Sequence, residues 1–186
     1  DMTNTSKTAR PDMYRFHNGT KSPLPFDTAE YEARLEELRE RMDAAGATAA
    51  VFTSMHNIAY YSGFLYCAFG RPYGLVVTET DCVTISAGID AGQPWRRSFC
   101  DNITYTDWQR DNYWRAVASV TGKGAVIGYE GDHLTLMQRD KLEDFLEPVV
   151  MIDLFETTMR QRMHKSPAEI ALIRQAAQVA DVGGYA

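Results

Sequence analysis

Tyr73-Gly74-Leu75-Val76-Val77-Thr78-Glu79-Thr80-Asp81-Cys82-Val83-Thr84-Ile85-Ser86-Ala87 is the stretch that decides the fold. Two apolar, β-branched runs, Tyr73 to Thr78 and Cys82 to Ala87, flank the polar turn Glu79-Thr80-Asp81, which is the pattern of an antiparallel hairpin. Upstream, Ala49 to Thr53 reads as a short apolar strand. Downstream, Ile103 to Thr106, Ala125 to Tyr129 and Val149 to Ile152 read as strands, with helices expected at Asn112 to Val120 and Leu134 to Leu146. A hairpin joined to β-α units predicts an α/β fold with a mixed β-sheet flanked by helices, rather than a purely parallel sheet.

Helix punctuation supports this division. Asp27 and Glu30 form a capping-box-like pair, Tyr31, Leu35, Leu38 and Met42 recur at helical spacing, and Gly46 stops the run. A short helix around Asn57 and Tyr60 is expected to end near Gly63. Ser166-Pro167-Ala168-Glu169 combines an N-cap serine, a first-turn proline and a glutamate three residues after the cap, so a strong helix starts there. Residues 1–26, with Pro11, Gly19, Pro23 and Pro25, read as an extended N-terminal arm whose order would need a partner surface. The chain thus divides into an arm at 1–26, an α/β domain at 27–163, and a linker with one helix at 164–186, where a domain is expected to have been cut shortly after its boundary.

Composition narrows the function. With 186 residues and 45% hydrophobic content the chain can bury one substantial core. A net charge of −6 with no compact basic run argues against nucleic acid as a partner, and the absence of a long apolar run argues against a membrane span. A soluble, cytoplasmic protein is the default expectation. Cys67, Cys82 and Cys100 are odd in number and lack C-x-x-C spacing, which predicts reduced, buried thiols instead of a disulfide framework.

The chemistry-bearing stretch is Phe64-Leu65-Tyr66-Cys67-Ala68-Phe69-Gly70-Arg71-Pro72-Tyr73. Its one charge, Arg71, stands between a glycine that allows close backbone approach and a proline that fixes chain direction. A guanidinium projecting from a defined position beside aromatic rings suits a small carboxylate; stacking on Tyr66 or Tyr73 for stability alone is the other reading. Gln93-Pro94-Trp95-Arg96-Arg97 and Tyr105 to Trp114 place tryptophans beside charges, so Trp95, Arg96, Arg97, Trp108 and Arg110 are interface candidates, set against internal stacks with solvated ion pairs. Gly122 to Gly128 precedes a strand instead of opening a helix and reads as a turn. His17, His56, His133 and His164 lack metal-ligand spacing, so no metal site is expected, and no G-x-S-x-G elbow occurs.

Together, Phe52 to Ile58, Tyr60-Tyr61-Ser62, Phe64 to Cys67, Phe69 to Tyr73, Gly92 to Arg97 and Tyr105 to Tyr113 resemble the creatinase branch of the creatinase and aminopeptidase P superfamily. A weaker likeness runs to the chain end through Arg160, Arg162, Lys165-Ser166, Glu169 and Ile173-Arg174, the usual entry into a second domain. The resemblance implies a ribonuclease H-like N-terminal α/β domain followed by a pita-bread catalytic domain, of which residues 164–186 would supply the linker and first helix. It implies hydrolysis of creatine to sarcosine and urea without metal or cofactor, by a homodimer in which the N-terminal domain of one subunit borders the active site of the other. The histidine and glutamates of that reaction belong to the second domain, so this chain is expected to hold no catalytic residue and to be inactive alone. Phe69 and Arg71 match the family's substrate contacts, the arginine for the carboxylate and the phenylalanine for the pocket wall. The alternatives are the same domain of an Xaa-Pro peptidase-like metallohydrolase, or a non-catalytic peptide- or protein-binding module.

Overall fold

Helix α1 (Thr28–Ala45) starts where Asp27 accepts a hydrogen bond from the Glu30 amide at 2.9 Å, and ends at Gly46 in the left-handed region at φ 78°. Its apolar stripe of Tyr31, Leu35, Leu38 and Met42 is buried, as the spacing requires. The computed structural model describes residues 10–66, 70–90 and 92–184. After α1 come β2 (Ala49–Phe52), α2 (Met55–Ser62), and the hairpin β3 (Gly74–Thr78) and β4 (Cys82–Ala87). Then follow α3 (Gln93–Arg96), β5 (Asp101–Tyr105), α4 (Asn112–Thr121), β6 (Val126–Tyr129), α5 (Leu136–Leu146), β7 (Val150–Asp153), α6 (Phe155–Met163) and α7 (Pro167–Gly184). One further strand, β1 (Met13–Arg15), precedes α1.

Among the described residues these strands form one seven-stranded sheet in the order β1-β5-β4-β3-β2-β6-β7. The pairs β1/β5, β2/β3 and β3/β4 are antiparallel, and β4/β5, β2/β6 and β6/β7 are parallel, so the sheet is mixed. Period-two alternation sends neighbouring residues of the central strands into opposite layers. Ala49, Val51 and Val76 pack with Trp114, Val117 and Leu142 of α4 and α5, while Ala50, Phe52, Leu75 and Val77 pack with Leu35, Leu38 and Ile58 of α1 and α2.

The structure departs from expectation in three places. The arm contains an edge strand, because β1 pairs with β5 through Met13↔Tyr105 and Arg15↔Ile103; the surface that orders it is the domain's own sheet. Helix α6 was invisible to apolar periodicity because Thr158 and Gln161 are the residues it buries. The Gln161 side chain satisfies itself by accepting from the Tyr61 hydroxyl at 2.8 Å and donating to the Arg34 carbonyl at 2.9 Å. The prediction of reduced cysteines also fails: Cys82 and Cys100 are joined in a disulfide with Cα atoms 5.3 Å apart. The parallel register Val83↔Asp101 sets the two residues immediately before that pair side by side, an adjacency that sequence spacing cannot reveal. Cys67 lies outside the described residues.

Two buried polar centres fix the frame. Glu130, at the end of β6, accepts from the Thr53 and Ser54 amides at 2.5 and 2.8 Å, from Asn57 Nδ2 at 2.6 Å and from the Ser54 hydroxyl, so it caps the start of α2. His56 lies against this cap, its Nε2 3.2 Å from Ser54 Oγ, and burial together with nearby Arg162 lowers its pKa. The second centre is Arg34, buried between the Phe26 and Tyr60 rings at 4.3 and 4.2 Å. It donates to Glu30 Oε1 at 3.0 Å and to the Tyr60 carbonyl at 2.8 Å, and its Nη2 stands 3.7 Å from Glu169 Oε1 on α7.

Candidate functional site, a cleft at the ends of strands β4 and β5

The neighbouring strands β4 and β5 run parallel and finish together at Ala87 and Tyr105, and a cleft of about 120 Å³ opens beyond those ends. Crevices outside the carboxyl ends of parallel strands are where α/β sheets take ligands, because the connections diverge there. Arg71, Arg10, Gly88, Tyr105, Asp107 and Trp108 are among its lining residues.

The segment carrying Arg71 is tied down on both sides. Gly70 takes a left-handed φ of 76°, a conformation glycine adopts without steric penalty, and the Tyr105 hydroxyl donates to the Pro72 carbonyl at 2.6 Å. Upstream, Tyr66 packs against Tyr73 with ring centroids 4.4 Å apart and planes tilted by 39°, and it donates to the Asp90 carboxylate at 3.1 and 3.2 Å. Burial raises the Asp90 pKa, and the Tyr66 hydrogen bond partly opposes that rise. Tyr66 and Tyr73 therefore pack on each other, and the ring beneath Arg71 is a different one: its guanidinium carbon lies 4.6 Å from the Trp108 ring centre. Among the described residues no hydrogen bond or ion pair engages the Arg71 guanidinium, so its planar donors remain available to a ligand. Phe69 lies outside the described residues.

Trp108 owes its position to a tight 3₁₀ turn, Trp108–Arg110, bracketed by Asp107 at φ 45° and Asp111 at φ 59°. Left-handed backbone costs a non-glycine residue about 1–2 kcal/mol, less for aspartate, whose short polar side chain can bond locally. Two such residues in five persist because the surroundings hold them; Lys141 bonds Asp111 at 2.7 Å.

The other residues singled out in the sequence lie elsewhere. Trp95 stacks on His17 at 5.0 Å and sits under the Lys21 ammonium at 4.8 Å, while Arg96 donates to the Asn18 carbonyl at 3.2 Å. Arg97 lies 5.4 Å from the Phe64 ring, and Arg110 stands 4.0 Å from Asp12. Trp95, Arg96 and Arg110 thus face the chain's own arm, and Trp95, Arg96 and Arg97 do not line the cleft. Lys21, which donates to the Ser98 and Cys100 carbonyls, has its pKa lowered to about 8 by burial. Arg10 escaped sequence reading because nothing in a polar, proline-containing arm marks which residue will reach a cleft. Among the described residues no group of three or more histidine, cysteine, aspartate or glutamate side chains could hold a metal ion, and no helix is long and apolar enough to cross a membrane.

Known proteins give this geometry a lineage. A creatinase from Bacillus sp. (strain B-0618) is 48% identical over 174 residues, which cover 91% of this chain and 42% of the creatinase. The chain thus spans about two-fifths of that relative. Two solved structures share the fold: an Xaa-Pro dipeptidase from Bacillus anthracis, with a TM-score of 0.69 and 20% identity over 82% of this chain and 41% of that one, and the prolidase from Pyrococcus horikoshii OT3, with a TM-score of 0.68 and 18% identity over 83% and 42%. The family model for the creatinase/prolidase N-terminal domain matches residues 34–164, from the buried arginine of α1 through the mixed sheet to the end of α6. A mixed sheet of this order and a match of that extent have one common source: the chain belongs to the creatinase/prolidase N-terminal domain family.

Proposed function

We propose that this chain is the substrate-contacting and dimerising N-terminal part of a creatinase, an enzyme that hydrolyses creatine to sarcosine and urea. The observation that carries the reading is the 48% identity to the Bacillus creatinase over 91% of the chain; the fold alone is shared with Xaa-Pro dipeptidases and prolidases and does not choose between substrates. On this reading residues 1–26 are the arm, 27–163 the N-terminal domain, and 164–186 the linker and first helix of a catalytic domain. That domain supplies the reacting groups, and the chain works in a cytoplasmic homodimer without cofactor or metal.

Creatine offers a carboxylate at one end and a guanidinium at the other. Arg71 meets the carboxylate with two parallel N–H donors, its plane set by Trp108, and Phe69 forms a wall of the pocket. This chain's contribution is therefore binding and orientation, while proton transfer and attack on the amidine carbon belong to the second domain. Trp95, Arg96, Arg97, Trp108 and Arg110 are the proposed interface residues, those at the arm acting through the arm they hold.

The test is Arg71→Lys in the full-length enzyme. A lysine keeps the charge and loses the fork, so KM for creatine should rise about tenfold or more. Unchanged KM and kcat would remove Arg71 from the site. An Xaa-Pro peptidase would instead show metal-dependent cleavage of Xaa-Pro dipeptides and no release of urea.

A further inference from the structure

The arm is built into the cleft, and the reason is legible in its pairing. Strand β1 lies antiparallel to β5, and just beyond the last ladder pair the Thr106 amide donates to the Asp12 carbonyl at 2.9 Å while the Thr106 hydroxyl donates to the Pro11 carbonyl at 2.7 Å. These bonds carry the arm to the end of β5, where the cleft opens. Arg10 is the next residue out, and its side chain lines the same cleft as Arg71. Its guanidinium lies against Gly88: a Cβ built there would stand 3.4 Å from Arg10 Nη2, in ordinary van der Waals contact. The charged lining residues are Arg10, Arg71 and Asp107, two positive and one negative, so a net positive charge remains for a ligand.

We propose that Arg10 is a second carboxylate-recognising residue, delivered to the site by the pairing of the arm with β5, so that Arg10 and Arg71 together form a two-arginine clamp. The inference rests on the reading of the cleft as a substrate site and goes beyond it in giving the arm a direct role in specificity. Two forks can divide a carboxylate's lone pairs between them. Its strand tether also makes the arm a determinant of affinity as well as of stability.

The experiment uses the full-length protein with Arg10→Ala and Arg10→Lys, followed by steady-state hydrolysis of creatine and, separately, by chemical-shift titration with acetate and with its neutral isostere acetamide. Arg10 is exposed, so thermal melting should be unchanged and should confirm folding. For Arg10→Ala the expected result is a rise in KM of about fivefold, below the range for a fully buried charged hydrogen bond because the group is exposed, with kcat within about twofold. Acetate binding should weaken in parallel, acetamide should be indifferent, and Arg10→Lys should recover part of the loss. An unchanged KM and unchanged acetate binding in Arg10→Ala overturn the clamp, as does an equal loss for acetate and acetamide. If the unsubstituted protein does not hydrolyse creatine while acetate binding still depends on Arg10, the creatine reading fails and the clamp stands; if acetate binds no better than acetamide to the unsubstituted protein, the clamp fails.

Discussion

Arg34 and Arg71 are both stacked on aromatic rings, and the contrast between them separates what builds this domain from what equips it. Arg34 is buried between two rings, bonds Glu30 and the Tyr60 carbonyl, and faces Glu169. Arg71 rests on Trp108 alone, at a cleft, with no hydrogen bond or ion pair among the described residues. A buried, paired charge consolidates a fold, whereas a guanidinium at an open cleft without such partners adds little to stability. The same side chain is enclosed and paired in one place and open to a cleft in the other.

The comparison predicts opposite phenotypes. Arg34→Met should lower the unfolding free energy by about 3–5 kcal/mol, because it strands buried partners, while Arg71→Met should stay within about 0.5 kcal/mol. Urea unfolding measures both, and similar losses would break the distinction. Next in size, removing the Cys82–Cys100 disulfide with the double substitution Cys82→Ala and Cys100→Ala should cost up to about 3 kcal/mol, as expected for a loop of this length. That bond clasps the starting ends of β4 and β5, away from the cleft, so KM should hold; a raised KM would show that the two ends are coupled. The smallest effect is expected for Trp108→Ala, about fivefold in KM from the lost cation–π contact of about 1 kcal/mol, with little change in melting temperature since Trp108 is 42% exposed. An unaltered KM would mean that the ring does not orient Arg71.

Local signals were legible in the sequence, and tertiary ones were not. The hairpin at Tyr73 to Ala87, the caps at Asp27 and Gly46 and the helix starting after Ser166 all follow from neighbours a few residues apart, and each stands where its pattern put it. Strand β1 has only three residues and draws its stability from β5, far along the chain, so its own composition carries no strand signal. Helix α6 turns Thr158 and Gln161 inward and has no apolar stripe to find. The disulfide depends on parallel register, and the Trp108 ring under Arg71 depends on a turn held by Asp107 and Asp111. Arg71 could be picked out because glycine and proline flank it; Arg10 could not, because its placement follows from strand pairing alone.

Glu169 does two jobs at the start of α7. One carboxylate oxygen accepts the Ser166 amide at 2.9 Å, and the other faces Arg34 at 3.7 Å. The first turn of the helix is thereby pinned to α1, while no residue of α7 is buried along its length. Mechanically, α7 is a boom on a fixed pivot. With 18 residues it reaches about 27 Å, so a tilt of about 10° at the pivot swings its tip by about 5 Å. Small adjustments around one buried arginine are in this way magnified into displacement at the far end of α7.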